Sequence, residues 1–142
     1  MVDESPDLDR LRAAAVADAR RSMEANTELA TVMEETMRVA AELVDAMERG
    51  ESLIGTMRAR KAADARLAAT GAIRTYETAR HRSRLRLIAV AITEGATDAD
   101  LCELWKMSSE MVRRAKREIA ELDSVEAHGA TGPGGASIPP PG

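Results

Sequence analysis

Three features of this 142-residue sequence predict an all-α fold: a long N-terminal helical hairpin or coiled coil followed by a C-terminal helix-turn-helix. First, the chain runs from Asp7 to Arg49 without Gly or Pro, and apolar residues recur there with a seven-residue period. Second, the sequence holds one Trp, one Tyr and no Phe, and no β-branched runs from which a sheet could be built. Ala, Leu, Met, Arg and Glu dominate instead, and all five favour helix. Third, the stretch from Gly95 to Leu122 reads as two short capped helices around a tight turn.

Residues 1–6 are expected to be a frayed N-terminus, with Ser5 capping a helix whose first residue is Pro6 and whose first turn is acidic. Residues 7–82 form the long helical oligomerisation region. One line of its repeat holds Leu8, Ala15, Ser22, Leu29, Thr36, Leu43, Gly50 and Met57. The other holds Leu11, Asp18, Ala25, Val32, Val39, Ala46 and Leu53. Asp18 and Ser22 spoil an otherwise apolar seam. A second apolar line, with Met33, Met37, Ala40, Val44, Met47 and Ile54, lies beside it, so the face is wider than a two-stranded seam needs. That width predicts contact with more than one helix, as in a bundle or a dimer of hairpins, with Met as adaptable filler.

Gly50 is expected to turn the chain, and Ser52 to cap a second helix from about Leu53 to Arg82. Its apolar positions are read as Ala59, Ala62, Ala63, Leu67, Ala68, Ile73 and Tyr76. Arg84 to Glu94 is read as a separate helix, ended by Gly95. Residues 83–123 make the helix-turn-helix domain, and the Gly/Pro-rich residues 124–142 are expected to be a disordered tail.

Charge is segregated along the chain. Residues 1–57 carry six Lys/Arg against 13 Asp/Glu, residues 58–119 carry 14 against eight, and residues 120–142 carry three acids and no base. The formal net charge of −4 therefore hides a basic middle. Such a middle suits either a nucleic-acid-facing surface or pairing with the acidic first helix. The single Cys102 excludes an internal disulfide. With an acidic start and no apolar leader, the sequence predicts a cytoplasmic setting and no membrane partner.

Within the C-terminal stretch, Thr97 can cap the first short helix and Asp100 can complete a capping box. Leu101 and Trp105 share one face. Lys106-Met107-Ser108 is the turn, and Ser108 can cap the second helix. Val112, Ala115, Ile119 and Leu122 make that helix's inner stripe, while Arg113, Arg114, Lys116 and Arg117 lie elsewhere on it. These residues resemble the helix-turn-helix of LuxR/GerE-type response regulators, which is close to the last region of sigma factors. Glu94-Gly95, Thr97, Asp98, Leu101-Cys102-Glu103, Met107-Ser108, Val112 and Ile119 match that pattern. The likeness covers about residues 83–122. Two positions depart from it: Lys106 stands where the family has a left-handed Gly, and Lys116 where it has Leu.

The resemblance implies a second helix that enters the major groove, exposing Ser109, Glu110, Arg113, Arg114 and Arg117. Arg suits that role because its guanidinium bonds guanine edges or phosphates in pairs. Lys116, Arg80, Arg82 and Arg84 are further candidates for phosphate contact. The partners expected are duplex DNA and a second copy of the chain, paired through the N-terminal helices. The rival reading is a coiled-coil adaptor, or a module that docks on RNA polymerase or a regulator, without DNA binding. No catalytic constellation, metal-ligand spacing or phosphate-cradling loop is present in the sequence, so neither enzymatic activity nor a cofactor is expected.

Overall fold

The computed structural model describes residues 6–129, and every regular element among them is a helix. The expected N-terminal fraying and the cap at Ser5 lie outside the described residues, as does the tail beyond Gly129. Helix α1 spans Pro6–Glu48, α2 Leu53–Ala59, α3 Ala62–Thr93, α4 Asp98–Trp105 and α5 Ser109–Gly129. Two compact units divide the chain between Leu87 and Ile88, within α3, not at the boundary near residue 82 that the sequence suggests. Among the described residues no helix is long and apolar enough to cross a membrane.

In the N-terminal unit α1 and α3 form an intramolecular antiparallel hairpin. Asp18 near the start of α1 bonds Arg82 and Arg86 near the end of this unit's part of α3, while Glu42 meets Arg60 at the other end. The turn forms where Gly50 is expected to make it. Gly50 adopts φ 75°, and the Glu51 N–H closes the end of α1 on the Ala46 carbonyl at 2.9 Å. Ser52 caps α2 by accepting the Gly55 N–H at 3.1 Å.

Every residue of the seven-residue repeat from Leu8 to Ala46 is buried or half-buried, Asp18 and Ser22 included, whereas Gly50, Leu53 and Met57, past the end of α1, are exposed. The facing stripe of α3 has the same period: Ala62, Ala65, Ala69, Ala72, Tyr76, Ala79, Ser83 and Arg86 are buried or half-buried. This corrects the inner face read from the sequence. Ala62 and Tyr76 lie on it as expected, but Ala59, Ala63, Leu67, Ala68 and Ile73 are exposed, and Ala65, Ala69, Ala72 and Ala79 take the inner positions instead. Alanine lets two helix backbones approach closely, and where alanines fall on several faces of a helix their spacing alone does not say which of them turn inward.

Three boundaries also differ. The chain breaks at Arg60-Lys61, where Lys61 takes φ 50°, although no Gly or Pro marks the spot. Conversely, nothing divides Arg82 from Arg84. Ser83 is buried at a repeat position, and α3 runs through it to Thr93. Helix α5 continues past Asp123 to Gly129, because Ser124 to His128 contains no breaker.

In the C-terminal unit the buried residues are Ile88, Ala89, Leu101, Met107, Val112 and Ala115. Gly95 ends α3 at φ 105°, and the Ala96 N–H reaches back to the Ala91 carbonyl at 2.9 Å. Lys106 sits at φ 53°, ψ 46°, the left-handed conformation that the turn was expected to need. A side chain with Cβ costs about 1–2 kcal/mol there, and glycine returns part of that through its freer unfolded state. Lys106→Gly is therefore expected to stabilise this unit by roughly 0.5–1 kcal/mol, whereas Lys106→Ala should not. Thermal melts of the three proteins check this.

Candidate nucleic-acid interface

The α4–α5 pair is held by local devices that follow directly from residue types. Thr97 and Asp100 bond reciprocally across the first turn of α4. The Asp100 N–H donates to Thr97 Oγ1 at 3.2 Å, and the Thr97 N–H donates to Asp100 Oδ2 at 2.8 Å. The backbone bond from Thr97, and then its side chain, hold the Asp100 carboxyl below its usual range. After the three-residue turn 106–108 α5 begins, with the Met111 N–H donating to Ser108 Oγ at 3.2 Å. Leu101 and Val112 are almost fully buried. Trp105 and Cys102 are half-buried.

The acid response follows from the sign of the Asp100 shift. Its folded pKa is depressed, so its contribution is present above the unfolded value, about 3.9, and is lost as pH falls through the folded value. Melts taken between about pH 5 and 2.5 should show an acid loss in the wild type that is smaller in Asp100→Asn.

Helix α5 turns Val112 and Ala115 inward. Ser109, Glu110, Arg113, Arg114, Lys116 and Arg117 are all exposed. Glu110, Arg113, Lys116 and Arg117 together line an open concavity of about 530 Å³. Ser109 and Arg114 lie outside that lining. Lys116 is not free: its Nζ bonds Asp98 Oδ1 at 2.6 Å, tying α5 to the start of α4. Sequence spacing gives no sign of this pair, since 18 residues separate the two. Arg113, Arg114 and Arg117 have no ion-pair partner among the described residues.

The remaining candidates, Arg80, Arg82 and Arg84, belong to the N-terminal unit. Arg82 is engaged there by Asp18 at 3.3 Å, while Arg80 is exposed and Arg84 half-buried. Among the described residues, no group of three or more His, Cys, Asp or Glu is arranged to hold a metal ion. No protein-family model, curated protein or solved structure matches the chain.

Proposed function

We propose that the chain is a DNA-binding transcriptional regulator. Its α4–α5 pair acts as a helix-turn-helix, and α5 enters the major groove with Ser109, Arg113, Arg114 and Arg117 as its reading side chains. Copies pair through the N-terminal helices, which supplies two half-sites and the affinity that one short helix lacks.

The observation that carries the reading is the set of uncommitted arginines on α5. Lys116 is held by Asp98, and Arg82 and Arg86 by Asp18. Arg113, Arg114 and Arg117 are exposed and hold no carboxylate among the described residues. The left-handed Lys106 and the caps at Thr97 and Ser108 support the turn geometry that the motif requires. Glu110 would repel phosphate, and its place in such a complex is opposite a base donor such as the cytosine amino group.

Binding of the full chain to a random-sequence duplex at low salt, beside Arg113→Ala/Arg117→Ala, tests the reading. Salt-sensitive binding that the variant loses is expected. No binding, or equal binding by both proteins, would return α4–α5 to protein docking, as an adaptor or a polymerase contact.

A further inference from the structure

We infer that the uncovered side of the α1–α3 hairpin is closed by the same side of a second copy. The result is a four-helix bundle in which each acidic α1 lies between two basic α3 helices, its own and the other copy's. The inference rests on the reading that copies pair through their N-terminal helices, and it adds which face they use.

Helix α1 carries two apolar seams, and its own hairpin covers only one. Val16, Met23, Met37 and Val44 lie on a second seven-residue line, with Met33 and Met47 beside it. All six are exposed, Met23 by 69% and Met37 by 71%. The seam borders an open groove of about 360 Å³ between the helices, lined by Met33, Ala40 and Leu43 of α1 and by Ala65 and Ile73 of α3. On α3, Leu67 is 71% exposed.

Area supports a stable partner. From Val16 to Met47 the seam is about 47 Å long at ~1.5 Å per residue, and two packed helices present a face some ~20 Å wide. That is on the order of 900 Å², close to the ~800 Å² that each partner buries in a standard interface.

Charge identifies the partner as a second copy. Glu24, Glu34 and Glu48 of α1 hold no ion pair among the described residues, and neither do Arg66, Arg74 and Arg80 of α3. A second copy brings both complementary sets at once. By two-fold symmetry each copy's acids meet the other's arginines twice. Placing α1 directly beside α1 would instead set acid against acid.

Light scattering and sedimentation equilibrium of the full chain test this, beside Met23→Glu/Met37→Glu and a control, Leu104→Glu/Val125→Glu. Both variants change exposed side chains, and circular dichroism verifies that helix content is kept. A dimeric wild type and control are expected, with a dimer dissociation constant raised at least about 100-fold in Met23→Glu/Met37→Glu. A dimer indifferent to that variant would overturn the assigned face while leaving pairing through the N-terminal helices intact. A wild type that stays monomeric at high micromolar concentration would overturn both.

Discussion

Replacing Asp18 by alanine is expected to destabilise the N-terminal unit by about 3–5 kcal/mol, the cost of breaking a buried ion pair by removing one partner. Asp18 Oδ2 lies 3.1 Å from Arg86 Nε, and both side chains are about 5% exposed or less. Arg82 adds a second contact to the same oxygen, and Arg21 holds the other oxygen at 2.8 Å. Among the described residues no buried side-chain nitrogen or oxygen lacks a partner. Removing the carboxylate takes the Asp18 partner from an enclosed Arg86 guanidinium. Domains of this kind retain only ~5–15 kcal/mol in total, so urea unfolding should move far toward lower midpoints.

A double replacement separates the worth of the pair from the cost of breaking it. Asp18→Leu/Arg86→Leu fills both repeat positions with apolar side chains and is expected to be far less damaging than Asp18→Ala, close to neutral. The ions then serve registration more than stability. Asp18 meets α3 one turn apart, at Arg82 and Arg86, and a slip of the hairpin by one turn would abandon one of them. A double variant as destabilised as Asp18→Ala would refute that role.

The same residue shows what a linear reading can reach. The seven-residue repeat of α1 was legible throughout, and the structure follows it even at Asp18, where the pattern looks broken. A carboxylate at a core position announces a buried cation, but only the fold can say which arginine answers, because Arg86 is 68 residues away. The inner face of α3 was legible only at Ala62 and Tyr76, because alanines fall on several faces of this helix, while Leu67 and Ile73 face out. The turns at Gly50 and Gly95 were legible because each has a glycine. The turn at Lys61 was not, because a lysine adopts the left-handed backbone there. In the candidate interface the caps at Thr97 and Ser108 followed from residue type, and the left-handed backbone at Lys106 from the likeness to a motif that has Gly there. The Lys116–Asp98 contact did not, because it depends on how α5 lies against α4.

The largest functional effect is expected from Arg113 and Arg117. An arginine that reads a base or clasps a phosphate contributes about 1–3 kcal/mol, so losing both should weaken duplex binding about 100-fold. Arg114→Ala, outside the shared concavity, should weaken it less. Lys116→Ala should chiefly loosen the α4–α5 contact, since its charge is already spent on Asp98.

The salt dependence of duplex binding tests the central claim most directly. Counterion release makes the logarithm of affinity fall with the logarithm of salt, by about 0.9 for each phosphate neutralised. Wild type should bind at low salt with a steep slope. Arg113→Ala/Arg117→Ala should bind weakly, with a slope shallower by up to about 2 if both side chains clasp phosphates. A wild type that fails to bind at low salt, or a double variant with unchanged affinity and slope, would contradict the assignment of α5 as a DNA-reading helix.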